Sequence, residues 1–264
     1  MRHSFSQISG SNERTRRHIR GGGRGQRDQR APRRLVVATG LRVDVETRRH
    51  RPLQEQGGHG RPFPQPHASV SATPAAQLYH FHRGTVSFQT GDMEFNRAKL
   101  LNIGYALAQK FGPYDCYAFH DIDCVPKDDR NLYNCADQPR HLGVGMEKFT
   151  YKIPYDTFYG CACLMTGWQV EKVNGWSNRY FGWGGEDDNM WRRIKAEKMQ
   201  VWRVSDHLAT YATLKHKQAT LNPRRMNILR TSERDYKLDG LNSLQFTLLN
   251  STHRKLYTKF LVKL

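Results

Sequence analysis

Two short acidic stretches hold the residue types that could do chemistry. In "FHDIDCVP", Asp121 and Asp123 sit one residue apart behind an apolar run, and Pro126 closes the stretch. Carboxylates at that spacing point the same way on a strand. At a strand end they suit a hard divalent cation that also takes phosphate oxygens. A solvated acidic turn is the plainer reading. In "FGWGGEDDNMWRRI", Trp183 lies among Gly182, Gly184 and Gly185, just before Glu186, Asp187 and Asp188. Glycines allow positive φ, so an aromatic face can stand beside carboxylates that accept hydroxyl hydrogen bonds, a common way to hold a sugar. Here the plainer reading is a helix start capped by Asp187, Asp188 or Asn189, with the other acids favouring the helix dipole. All five tryptophans fall between 168 and 202, and Trp191, at helical spacing from Met190 and Ile194, reads as packing.

The elements that must position these residues follow from periodicity. "FNRAKLLNIGYALAQKFGP" places Leu100, Ile103, Leu107 and Leu101, Gly104, Ala108 at helical spacing, with Gly112 and Pro113 as a stop. "DCYAFHDIDCVP", "HLGVGMEKF", "TFYGCACLMT" and "MQVWRVS" read as strands, the third nearly all apolar or small and so buried. "DDNMWRRIKAEKM" reads as a helix with acids first and Lys195 and Lys198 later, the charge order a helix dipole favours. Strands alternating with helices predict an α/β sheet with ligands at the carboxyl ends of its strands. The acidic stretches lie there.

Composition divides the chain. The formal net charge is +18, and residues 1–80 hold fifteen arginines and no lysine. This front segment has neither helical nor strand periodicity and suits a disordered arm. An arginine-glycine segment that binds phosphates is a second reading, and G/C-rich sequence translated out of its frame a third. The expected division is therefore 1–85, Arg/Gly-rich and disordered or non-native, and 86–264, globular. No apolar run approaches the ~20 residues of a membrane span, and no signal-peptide pattern begins the chain. Five cysteines are too few for a disulfide scaffold, and none forms the C-x-x-C pair of a zinc site. Asn250-Ser251-Thr252 is a glycosylation sequon.

In order, "FNRAKLLNIG", "HDIDCVP", "PRHLGVGMEKF", "NGWSNRYFGWGGEDDN", "LKH" and "DGLNSL" resemble the β-1,4-galactosyltransferase family, from about Val86 to about Lys259. The likeness is to the members that extend N-acetylglucosamine, whose W-G-W-G-G-E-D-D has Phe181 in its first place here. The resemblance implies a GT-A glycosyltransferase fold, a Rossmann-like mixed sheet flanked by helices. It also implies UDP-galactose as donor, Mn²⁺, and inverting transfer to the 4-hydroxyl of a terminal N-acetylglucosamine, in the Golgi. By the same resemblance Asp123 and His216 are metal ligands, with Asp121 nearby on the donor. Phe95, Arg97 and Lys148 are donor-binding positions; Trp183 and Glu186 hold the sugars; Asp188 and Arg225 contact the acceptor; and Asp187 is the base. A carboxylate at a helix start is expected to stay ionised at neutral pH. Cys116 and Cys135 match the family's disulfide, worth roughly 3 kcal/mol in the chain-entropy model. Cys124, Cys161 and Cys163 read as small buried residues.

Three departures matter. Thr213 stands where the family offers a methionine ligand, and a hydroxyl is harder than a thioether, so the site is expected to accept another divalent cation besides Mn²⁺. Phe158 replaces a tyrosine that controls the donor's C2 substituent; its ring should still exclude an acetamido group. The strand with the P-F-R motif, part of the nucleotide pocket, has no match in residues 1–85, so the sheet is expected to lack its first strand. Alternative functions are an inactive sugar-binding descendant of the fold and a UDP-GalNAc-using transferase; the globular part itself is not expected to bind nucleic acid.

Overall fold

The computed structural model describes residues 35–42, 84–90, 93–112, 114–216 and 218–264. The expectations for an N-terminal arm fall outside these residues, apart from one strand. Among the described residues eleven strands run in chain order: β1 Leu35–Arg42, β2 Gly84–Thr90, β3 Cys116–His120, β4 Cys124–Pro126, β5 Arg140–His141, β6 Gly145–Met146, β7 Ala162–Met165, β8 Trp202–Arg203, β9 Thr210–Thr213, β10 Thr247–His253 and β11 Tyr257–Lys263. Eight form a sheet in the order β10-β11-β2-β1-β3-β7-β5-β8, and a second sheet has the order β4-β9-β6. β11, β2, β1 and β3 are mutually parallel, whereas β7 is antiparallel to β3 and β5, so the large sheet is mixed. β1 corrects one expectation. The sheet is expected to lack its first strand, yet Leu35–Arg42, without a P-F-R motif, pairs in parallel with both β2 and β3, because its β-branched run can pair on both edges.

Among the described residues five α-helices pack on this frame: α1 Arg97–Ala108, α2 Gly167–Lys172, α3 Glu186–Ala196, α4 Arg225–Arg230 and α5 Ser232–Asp235. The two apolar stripes of α1 serve different clusters. Leu101, Tyr105 and Ala108 join Tyr117, Phe119, Trp176, Met190 and Ile194; Leu100, Ile103 and Leu107 meet Phe260 and Val262 of β11. β3 and β7 alternate as period two requires, with Tyr117, Phe119, Cys163 and Met165 toward the first cluster. Cys116, Ala118, Ala162 and Leu164 face the other side. Both faces of the sheet centre are therefore buried, which explains why "TFYGCACLMT" carries no polar alternation. Trp191 packs against the first cluster, and Cys124, Cys161 and Cys163 are buried thiols. Cys116 and Cys135 form a disulfide.

Two polar ties hold the site-bearing segments. The Asn96 side chain caps α1 by accepting from the Lys99 N–H at 2.8 Å, and its amide donates to the Asn178 carbonyl at 2.8 Å. Arg193 of α3 is wholly buried, donating to the Gly175 carbonyl at 2.9 Å and lying 3.3 Å from Asp239. Asp239 also accepts from Ser177 Oγ at 2.5 Å and the Asn178 N–H at 2.9 Å. "NGWSNRY" and "DGLNSL" thus recognise each other and anchor α3.

Candidate active site

Arg97 joins the two acidic stretches. It is the first residue of α1, fixed by the Asn96 cap, and its guanidinium lies over the Trp176 ring at 5.3 Å. Nε donates to Asp121 Oδ1 at 2.5 Å, while Nη1 lies 3.6 Å from Glu186 Oε1. Burial lowers its pKa, but the charges of Asp121, Glu186 and Asp187 outweigh that and hold it well above the ordinary value. Nη1 of Arg97 and Oε2 of Glu186 have no hydrogen-bond partner among the described residues. Buried polar atoms without partners are costly, so a ligand atom that satisfied them would be held strongly.

Asp121 and Asp123 lie in a turn between β3 and β4, not on a strand, and their side chains take different partners. The Asp121 N–H donates to the Cys161 carbonyl at 2.7 Å and its own carbonyl accepts from the Cys124 N–H at 3.1 Å, which breaks the strand alternation. Asp121 faces Arg97, whereas Asp123 Oδ2 lies 3.2 Å from His216 Nε2. His216 is brought there by β9: Thr213 pairs with Cys124, and the Leu214 N–H donates to the Asp123 carbonyl at 2.8 Å. Donor atoms of Asp121, Asp123 and Cys124 fall within 4.8 Å of one another. Thr213 Oγ1 is buried without a partner among the described residues. Two carboxylates and an imidazole, with the Cys124 thiol beside them, form a donor set that fits Mn²⁺ or Mg²⁺. Beneath the turn, His120 bonds the Asp121 carbonyl and Tyr133 Oη, each at 2.8 Å, and burial lowers its pKa, so it braces the turn as a neutral ring.

The glycines before α3 place the third group. Gly185, at φ 91°, is the N-cap, so none of Asp187, Asp188 and Asn189 is; Glu186, Asp187 and Asp188 instead fill the first turn. The Trp183 N–H donates to the Thr220 carbonyl at 2.7 Å and its carbonyl accepts from the Asn222 N–H at 3.1 Å. This leaves the ring 47% exposed, with Arg225 at 5.4 Å over it. Gly184, at φ 103°, permits that approach, since a Cβ there would lie 2.9 Å from Arg225 Nη1. Asp188 accepts from Thr157 Oγ1 at 3.2 Å and Tyr155 Oη at 3.5 Å. Burial and the charges of Glu186 and Asp188 push Asp187 up to about 7, against the opposing pull of Arg97. The expectation that Asp187 stays fully ionised at neutral pH is therefore corrected: burial and two like charges outweigh the helix dipole.

Phe158 and Asp187 converge on Gly160, where a Cβ would lie 2.8 Å from the ring and 3.0 Å from Asp187 Oδ2. Phe158 thus lies beside the Asp187 carboxylate. Phe95 and Lys148 lie differently. The Phe95 ring packs on the α1–β11 cluster and its carbonyl accepts from the Gly182 N–H at 2.8 Å, while exposed Lys148 lies over the Phe149 ring at 5.2 Å. Tyr155 and Thr157, which hold Asp188, were not signalled by the sequence.

A family model for the N-terminal region of glycosyl transferase group 7 matches residues 77–136, and one for the N-terminal domain of galactosyltransferase matches residues 140–217. Together they take in the F-N-R stretch, both acidic stretches and His216. The chain belongs to the β-1,4-galactosyltransferase family. It is 44% identical over 177 residues to β-1,4-galactosyltransferase 4 of Cricetulus griseus, covering 66% of this chain and 52% of that protein. With β-1,4-galactosyltransferase 2 of Mus musculus it shares 40% over 178 residues, 66% of this chain and 48% of the relative. The chain spans about half the length of the curated relatives it matches. Among solved structures, the catalytic domain of Drosophila β-1,4-galactosyltransferase 7 with xylobiose superposes with a TM-score of 0.59 at 27% identity, over 70% of this chain and 81% of that one. A mutant of the same enzyme in complex with manganese, UDP-Gal and xylobiose gives 0.57 at 26%, over the same shares. The GT-A fold of this family is thereby assigned to the chain.

Proposed function

We propose that the protein transfers galactose from UDP-galactose to the 4-hydroxyl of a terminal N-acetylglucosamine, with inversion at the anomeric carbon. The observation that carries this reading is Arg97, which bonds Asp121 and faces Glu186 and so gathers a cation-binding turn and a sugar platform into one site. Asp187 takes the proton of the attacking hydroxyl. The new bond joins that oxygen to C1 of galactose as the bond from C1 to the diphosphate oxygen breaks, and UDP leaves with the electron pair. The proton then passes from Asp187 to solvent. A pKa near the working pH suits this exchange, because the base must both accept and release a proton. Trp183 stacks on the acceptor ring, and Glu186 and Asp188 accept its hydroxyl hydrogen bonds. Arg97 and Lys148 are the cations offered to the donor's diphosphate.

Asp123 and His216, with Asp121 nearby, would hold Mn²⁺ or another hard divalent cation. Such an ion, when bound, neutralises charge developing on the leaving diphosphate. The buried Phe158 edge beside Asp187 leaves little room for an acetamido group and favours galactose over N-acetylgalactosamine. The disulfide suits an oxidising compartment such as the Golgi lumen. The test offers the folded chain equal UDP-galactose and UDP-N-acetylgalactosamine with Mn²⁺ and an N-acetylglucosamine acceptor. Galactosylated product with release of UDP is expected. N-acetylgalactosamine transfer in preference, or acceptor binding with no transfer at all, would replace this reading.

A further inference from the structure

A groove of about 400 Å³ opens at the opposite end of β3 from the acidic turn, lined by Tyr105, Gln109, Tyr114, Tyr117, Trp168 and Glu171. Tyr117 precedes Asp121 by four residues, about 13 Å along an extended strand, and β7 runs antiparallel so that α2 begins at this end. The groove is therefore separate from the site described above. Its rings are ordered. Tyr105 and Tyr117 tilt against each other at 4.5 Å, and Tyr114 meets Tyr117 edge-on at 6.1 Å. Tyr105 Oη donates to Glu171 Oε1 at 3.1 Å. Trp168 contributes little to the core: it is 61% exposed, more than Trp183, and the Lys172 ammonium lies over its ring at 4.7 Å.

We propose that this groove is a second saccharide-binding site, with the exposed Trp168 as its stacking face and the exposed Gln109 and Glu171 as its polar partners, above a floor of buried tyrosine rings. An exposed indole, a carboxamide and a carboxylate acceptor are the groups that pair with a sugar's apolar face and its hydroxyls. Aromatic rings around a carboxylate could also cage a quaternary ammonium. Lys172 already occupies a face of the indole, and the chain is strongly basic, so the neutral saccharide is favoured. If the transfer reading holds, the groove would engage a second branch of a long acceptor glycan.

The test titrates N,N′-diacetylchitobiose and N-acetyllactosamine into the full chain by calorimetry and NMR, for the parent, Trp183→Ala, Trp168→Ala and Glu171→Gln. Two binding events are expected in the parent. Trp183→Ala should leave the groove event intact, while Trp168→Ala should weaken it about tenfold or more and Glu171→Gln should weaken it in part. Transfer to free N-acetylglucosamine should be unchanged in Trp168→Ala. Saccharide binding indifferent to Trp168→Ala would overturn the proposal. So would choline binding in the groove in place of both saccharides. Because binding is read apart from turnover, loss of the transfer reading would leave this result standing.

Discussion

Replacing Asp187 by Asn should abolish transfer and at the same time stabilise the protein at alkaline pH. The carboxylate moves from 3.8 in water to about 7 in the fold, chiefly because burial removes it from solvent. An acid with a raised folded-state pKa binds more protons folded than unfolded between those two values, so its stability contribution is full below 3.8 and declines as pH rises through 7. At about 1.4 kcal/mol per unit the loss comes to a little over ~4 kcal/mol by pH 8, an upper figure because the residue keeps some exposure and water screens it. Asn has no such loss. Thermal unfolding of parent and variant at pH 4 and pH 8 should show Asp187→Asn gaining several degrees on the parent across that interval. The rate of the folded variant should fall at least ~10²-fold. A variant whose stability difference from the parent is the same at both pH values would refute the claim that burial strains this carboxylate.

The other expectations concern the partners of Asp187. The parent's kcat/KM should rise with pH along a limb centred near 7, and Asp188→Asn should move that limb to lower pH, since it removes a like charge beside the base; a pH-rate profile reads both. Arg97→Met leaves Asp121 and Glu186 without their cation and should cost about 3 kcal/mol in chemical denaturation. His216→Ala should weaken Mn²⁺ binding by ~10-fold or more by calorimetry while leaving the melting temperature nearly unchanged, because the ring is exposed. Gly160→Ala should lower kcat and disturb donor selection together, as its Cβ would push on Phe158 and Asp187, which a donor competition assay would register.

The parts of the site that were legible in the sequence are those whose signal is contiguous. The two stripes of α1, the apolar β7 and the run from Trp183 to Asp188 each carry their pattern within a dozen residues. Tyr155 and Thr157 act on Asp188 from about thirty residues away, and nothing local marks an ordinary tyrosine and threonine as its partners. The D-x-D carboxylates were assigned a common direction because strand alternation was extended one turn too far. The bond from the Cys124 N–H back to the Asp121 carbonyl turns the chain first, directly after the last ladder bond to Cys161. The cap of α3 was placed on acids by side-chain preference, whereas left-handed Gly185 turns the chain without a side-chain bond. Ionisation of Asp187 was misjudged for a related reason: a helix dipole is visible in sequence, but the depth of burial that opposes it is not.

One measurement tests the central claim most directly: single-turnover transfer from UDP-galactose to an N-acetylglucosamine acceptor by the parent and by Asp187→Asn, with Mn²⁺ and matched folding and donor binding. The account predicts a β-1,4-linked product and one UDP per transfer from the parent, with the variant slowed at least ~10²-fold and its donor affinity retained. A folded parent that binds donor and acceptor yet forms no product, or a variant that turns over as fast as the parent, would contradict it.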